Sequence, residues 1–301
     1  MNSSKRKITS EWANSIYLLA WLAAKDEGLF DEEGIEVEFK KPRESQPEHA
    51  RMLLDDRRQI SSMMNHVPFE EGEYQVYRGC SWGNVQRTLD SRIGGKILNK
   101  RTAIVSEAIV VLPGSIIVRP QDLANIPIGV RMYAGTEYQT TLMLEGFLRP
   151  DEIKMVHTPK VANRYRLFKE GRVEAIAVSE PWISFAEHEG CRVIIEAQHI
   201  GTEAGSPDID PLDYAACTRA VKKAVRLINA NPKKYLHYLV DEIPEDMRGD
   251  FSVDHIHLPR IWFVDPMPYT REDFDRDYSW MVSKKLIKPG ASFDQLVNNM
   301  I

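Results

Sequence analysis

The sequence has few of the features that announce a function. Its 301 residues include only three cysteines, Cys80, Cys191 and Cys217, far apart and without a CxxC pair. An odd, dispersed set of this kind excludes a zinc ribbon and a disulfide-stapled scaffold. Long hydrophobic runs are missing as well. The apolar stretch at 16–24 is too short to span a bilayer and runs into Lys25-Asp26-Glu27, so no membrane insertion is expected. The opening MNSSKRKIT has basic residues with no apolar segment behind them. That is not a secretory signal, and the expected location is cytoplasmic, or periplasmic if a signal has been trimmed. There is no basic tract either. Lys and Arg number 39 against 44 Asp and Glu, a net charge of -5, and the cations are spread along the chain. Nucleic acid is not expected as a partner, because phosphate binding needs a basic footprint.

What is present is the material of a packed globular protein. Hydrophobic residues make up 43% and charged residues 28%, which argues against disorder. The length suits two α/β lobes of ~100–150 residues each. Residues 5–12 read as a strand. Ile16, Leu19, Ala20, Ala23 and Ala24 recur at helical spacing as far as Gly28. Gly34 supplies a positive φ in the next turn. Ile35, Val37 and Phe39 then alternate with Glu36, Glu38 and Lys40, a half-buried strand. Strand, helix, strand is the pattern of a parallel βαβ unit.

Further along, helices are predicted over 48–56, 136–148, 161–169 and 271–284, with a long helical region at 214–239 broken near Asn231-Pro232. Thr136, with Gln139 three residues on, fits a helix cap, and Pro181 fits the first turn of another helix. Strands are predicted over 59–64, 74–77, 102–112, 116–118, 126–130, 155–157, 175–178 and 191–196. This alternation predicts an α/β fold with mixed, mainly parallel sheets. Gly, Ser, Pro and Asp collect near 112–115 and 200–212. The expected division is therefore a discontinuous lobe one, 1–112 plus 213–301, and a lobe two, 113–212, with a cleft between them.

Several segments carry a family resemblance. Leu22-Ala23-Ala24-Lys25-Asp26-Glu27-Gly28-Leu29-Phe30 followed by Glu33-Gly34-Ile35-Glu36-Val37 resembles the first-helix signature of SsuA/THI5-like (NMT1-like) proteins of the type II periplasmic-binding-protein class. Pro120-Gln121-Asp122-Leu123 before Ile128-Gly129-Val130 resembles that family's entry into its second lobe. The run from Gly171 through Ala175 to Trp182 resembles its return to the cleft, and Asn231-Pro232 a late helical step. The resemblance implies a two-lobed solute-binding protein with a small-molecule ligand in the cleft. The family also includes a pyrimidine synthase of thiamine biosynthesis, which carries a cysteine-rich segment absent here. Its cleft histidine corresponds to His66. A looser similarity, Ile128-Gly129-Val130 followed by Glu137-Tyr138-Gln139-Thr140-Thr141, runs to dihydroxyphthalate decarboxylases.

In such folds ligands meet the loops at the C-terminal ends of strands. That rule selects Trp12, Asn14, Ser15 and Tyr17, where an indole can stack on a planar ligand and an amide can read its edge. It selects Asn65 and His66, and then Cys80, Trp82 and Asn84. It selects Arg131, Tyr133, Thr136 and Glu137, with Arg131 suited to clamping a carboxylate. It also selects Ser179, Glu180 and Trp182. Structural roles compete at each place: Asn14 and Thr136 as helix caps, His66 beside a proline turn, Cys80 as a small core residue and Glu180 at a helix N-terminus. His255 and His257, two apart, and the isolated His188 lack a third ligand at a usual spacing, so neither a metal nor another cofactor is expected. Two functions stay open: a binder of a small polar or aromatic ligand, nitrogenous or carboxylate, and a decarboxylase, lyase or pyrimidine-forming enzyme with His66 and Glu180 as acid and base. A homodimer stays open too.

Overall fold

A computed structural model describes residues 6–12, 14–41, 54–55, 60, 66–158 and 160–301. The chain opens as β1 (Arg6–Glu11), α1 (Ser15–Asp26), α2 (Leu29–Glu32) and β2 (Ile35–Lys40). Next come α3 (Val67–Glu70), β3 (Val76–Gly79), α4 (Ser81–Asp90) and the long β4 (Lys96–Val111). The middle is β5 (Pro127–Val130), α5 (Gly135–Leu144), β6 (Lys154–His157), α6 (Val161–Lys169), β7 (Ala175–Ser179), α7 (Trp182–His188) and the long β8 (Arg192–Gly205). The end is helical: α8 (Pro211–Ala230), α9 (His237–Val240), α10 (Glu245–Arg248), a short β9 (Trp262–Phe263), α11 (Arg271–Ser283) and α12 (Phe293–Leu296).

Eight strands form one mixed sheet in the order β2-β1-β3-β8-β4-β7-β5-β6, with β9 added on β4. Each outer part is parallel: β2-β1-β3 on one side and β7-β5-β6 on the other. The join is antiparallel and consists of β4 and β8, which run through both parts. Their ladder slips at Ile97/Asn99, Lys100/Ile104 and Ile109/Val110, and such irregularities bend and twist a strand pair. The result is the two-lobed type II periplasmic-binding-protein architecture, with a cleft where the two parallel parts meet.

Local sequence explains most elements. Helix α1 is buried from Ser15 to Ala24 except at Tyr17, as expected of a helix apolar nearly all round; it packs on α2 and α8. Gly34 takes φ 69° ahead of β2, the left-handed value its turn requires. Strand β7 is buried throughout, as expected of an interior strand covered on both faces, here between antiparallel β4 and parallel β5. Three expectations change. Residues 116–118 form no strand, because Ile116 and Val118 are exposed and the chain only turns there. The helix expected from Thr136 starts one residue earlier with Ala134 as its cap, since the Thr136 hydroxyl is engaged with Arg131. Residues 96–101, too polar to suggest a strand, extend β4. The helix predicted over 48–56 and the strand over 59–64 lie almost wholly outside the described residues.

Candidate functional site

A cavity of about 730 Å³ opens where β1, β3, β5 and β7 end. Its volume suits an organic molecule rather than a bare inorganic ion. Each strand end delivers a polar group. Glu11 closes β1, Arg78 and Cys80 flank the end of β3, Arg131 follows β5, and Ser179 closes β7. The first turn of α5, with Gly135 and Thr136, also faces the cavity, and a helix N-terminus favours negative charge.

The cations dominate. Arg78 is buried, donates from Nε to Glu203 at 2.8 Å and from Nη1 to the Ser10 hydroxyl at 2.8 Å, and lies 4.0 Å from the Trp21 ring centre. Its Nη2 has no hydrogen-bond partner among the described residues. Arg87 donates to Asn84 Oδ1 at 2.9 Å and to the Tyr133 carbonyl at 2.8 Å; its Nε is likewise unpartnered. Arg164 is buried, hydrogen-bonded to Thr158 and to the Ala177 carbonyl. Burial, then Arg131, lowers its pKa to about 9, so it stays charged at neutral pH. Arg131 is held by its backbone, whose N–H donates to Thr136 Oγ1 at 2.9 Å. No described carboxylate forms an ion pair with its guanidinium, and burial, then repulsion from Arg87, lowers its pKa.

The acids on the wall are weakened by burial. Glu11 is pushed up to about 7, against the pull of Arg131, Arg87 and Arg78. Glu107 is pushed up to about 8, against Arg101 and Arg164. Oε2 of each has no hydrogen-bond partner among the described residues. A side chain at position 135 would strike Glu107: a Cβ there would sit 2.2 Å from Oε1, so Gly135 lets the helix end approach the carboxyl group. Glu242 accepts from the Ser15 N–H at 2.7 Å and from Trp182 Nε1 at 3.0 Å, which fixes that indole at the wall. Burial dominates at His66 as well, followed by Arg87 and Arg131. It keeps the imidazole neutral, 4.6 Å from the Tyr77 ring. The Cys80 thiol accepts from the Gly83 N–H and is pushed up to about 11 by burial; it is not a thiolate.

Of the residues selected from sequence, Trp12, Asn14, Ser15, Tyr17, His66, Cys80, Arg131, Thr136, Ser179 and Trp182 line this cavity together. Asn65 lies outside the described residues. Five others stand behind the wall. Asn84 donates to the Thr202 carbonyl and hydroxyl and holds Arg87. Tyr133, at φ 59°, offers Arg87 its carbonyl, and its N–H donates to Glu137. Trp82 packs among Tyr138, His199 and Trp280. Glu180, fully buried, accepts from the Ser184 hydroxyl at 2.9 Å and meets Arg260 at 3.4 Å; it does not reach the cavity, so His66 and Glu180 are not brought together. Glu11, Arg78, Arg87, Glu107 and Arg164 were not anticipated. Glu107 interrupts an apolar run at 103–111, and Arg164 falls on the buried face of α6 with Val161, Tyr165 and Phe168; both are charges where an apolar residue is expected.

No family model matches the chain, and no curated protein sequence matches it. Solved structures do. The alkanesulfonate-binding protein SsuA from Xanthomonas axonopodis pv. citri, bound to MOPS, is similar with TM-score 0.67 at 13% identity, over 96% of each chain. The Candida albicans CA3427 gene product, described as having the generic periplasmic binding protein fold, is similar with TM-score 0.69 at 12% identity, over 99% of this chain and 97% of that one. The desulfurization enzyme DSZB is similar with TM-score 0.64 at 13% identity, over 98% and 96%. At such identities the likeness establishes the fold.

Proposed function

We propose that the chain binds the anionic head group of a small organic oxyacid in this cleft, a sulfonate, sulfinate or carboxylate, with its organic part toward Trp12, Trp182 and Tyr238. The observation that carries the reading is Arg131. A cation with no ion-paired carboxylate among the described residues, on a cavity wall shared with Arg78, Arg87 and Arg164, is stabilised when an anion supplies the missing charge and hydrogen bonds. The wall acids supply it only in part at neutral pH, since burial keeps Glu107 protonated and leaves Glu11 only partly ionised. The similar folds support the same class: one is described with MOPS, and DSZB is described in complex with biphenyl-2-sulfinic acid. These are organic sulfur oxyacids.

The fold hosts both binders and an enzyme. Binding is the reading favoured here, because among the described residues no nucleophile and base are paired on the wall: the Cys80 thiol is protonated and accepts from the Gly83 backbone N–H. The test is isothermal titration of the full chain with benzenesulfonate, benzoate, benzyl alcohol and benzylamine. The two anions are expected to bind and the alcohol and amine not to. Equal binding of the amine would remove the reading.

A further inference from the structure

Glu11 is out of place in an anion site. It ends β1, is 6% exposed and lines the cavity, and its Oε2 has no hydrogen-bond partner among the described residues. The groups around it come from several elements. Arg78 faces it from β3, Arg87 from α4 and Arg131 from the β5–α5 turn. Tyr74 and Tyr77, before and within β3, feel its charge and are themselves protonated. His66 stands neutral beside the same two arginines, Arg87 and Arg131. On β2, Lys40 is in register with Glu11, but its ammonium is bonded to Glu38. Glu11 is therefore the acid whose attraction to Arg131, Arg87 and Arg78 an incoming anion would share.

Resting on the head-group reading above, we infer that Glu11 couples ligand binding to a proton: an anionic head group enters the site defined by Arg87 and Arg131 together with one H+ from solvent, which settles on the Glu11 carboxyl group. The physical cause is like-charge exclusion. Two anions sharing one set of cations in a buried place do not both stay ionised. Sulfonic, sulfinic and carboxylic acids are all stronger acids than this buried carboxyl group, so the side-chain carboxylate is the group that takes the proton. No bond to the ligand forms or breaks. The neutral carboxyl group then gains an O–H donor, which suits a sulfonate oxygen better than a second negative charge would. Burial already holds the Glu11 carboxyl group near neutrality, so a modest push from the ligand completes its protonation.

The sign follows from linkage. Below about pH 7 Glu11 is protonated in both free and bound states, and affinity is flat. Above it the free carboxylate must capture a proton to bind, and affinity falls about tenfold per pH unit. Benzenesulfonate is the probe, because it remains ionised throughout and any proton taken up belongs to the protein. Titration at pH 6, 7, 8 and 9, in buffers of different ionisation enthalpy, is expected to show uptake of about one proton at pH 8. In a Glu107→Gln background, which removes the other wall acid that titrates near pH 8, Glu11→Gln removes that uptake and the pH dependence, whereas His66→Asn keeps both. An infrared difference spectrum of the Glu107→Gln variant is expected to gain a protonated-carboxyl band on binding, which tests the inference even if Glu11→Gln does not fold. Binding without uptake and without pH dependence, or uptake that persists in Glu11→Gln in that background, overturns the role of Glu11 and leaves the head-group reading standing. No binding of benzenesulfonate overturns both.

Discussion

Two arginines of this protein are in opposite situations. Arg260 lies in the C-terminal segment and meets three carboxylates: Glu187 at 2.6 Å, Glu196 at 2.9 Å and Glu180 at 3.4 Å. It ties that segment to α7, to β8 and to the turn after β7, and although burial lowers its pKa, its acids together hold it above the usual arginine value. Arg131 is anchored by its backbone, and no described carboxylate pairs with its guanidinium. Both sit close to the end of a strand, Arg131 just after β5 and Arg260 just before β9. What separates them is whether the protein itself supplies the counter-charge. A cation completed from within holds the fold together; a cation left incomplete at a cavity is a place for something else.

The comparison is broken most directly by removing each arginine. Arg260→Ala leaves Glu180 and its neighbours without their cation and is expected to cost about 3–5 kcal/mol of folding stability, the usual range for stripping one partner from a buried pair. Urea unfolding measures this. Arg131→Ala is expected to leave stability within about 0.5 kcal/mol, as at sites free of structural features, since it removes a charge that other cations already repel. It should weaken benzenesulfonate binding by about 2–3 kcal/mol, the scale of hydrogen bonds to a charged group. If Arg131→Ala unfolds the protein while Arg260→Ala does not, the distinction between the two is wrong.

The same comparison shows what the sequence made legible. Strand ends could be read from alternation and turns, and the strand-end rule brought Trp12, Tyr17, His66, Arg131, Thr136, Ser179 and Trp182 to one cavity. It also selected Glu180, because position along a strand does not say which way a carboxylate turns. That is decided by Arg260, eighty residues later in the chain. The missed cations fail for a related reason. Arg78 sits between Tyr77 and Gly79 like any outward-facing strand residue, and its partner Glu203 comes from β8. Long-range pairing of this kind leaves no local pattern. Glu107 and Arg164 did leave one, as charges on otherwise buried faces, and a search for such interruptions would have found both.

A smaller effect sharpens the contrast between completed and incomplete charge. Glu107 is protonated in the folded state up to about pH 8, against an ordinary value of 4.5. Its contribution to stability is present below about 4.5 and is lost as pH rises to about 8, because the unfolded chain ionises first. The slope from one such group approaches about 1.4 kcal/mol per pH unit. Glu11 and Glu180, each near 7, share this trend up to that point, so the interval from 7 to 8 reports mainly on Glu107 among these three. Glu107→Gln is expected to flatten the stability profile there, in denaturant melts of the ligand-free chain. An unchanged slope would place the ionisation elsewhere.

The smallest effect concerns how Arg131 is aimed. With no ion pair to its guanidinium among the described residues, its position depends on the turn that carries it, and Thr136 braces that turn by accepting from the Arg131 N–H and donating to the Arg131 carbonyl at 3.3 Å. Thr136→Ala removes both hydrogen bonds without touching the guanidinium. It is expected to weaken benzenesulfonate binding by about 1 kcal/mol, roughly fivefold. Thr136→Ser keeps the hydroxyl and should recover most of that loss. If serine fails to rescue while folding is intact, the methyl group and its packing matter more than the hydroxyl. Arg131 would then be aimed by the shape of the turn instead of by its hydrogen bonds.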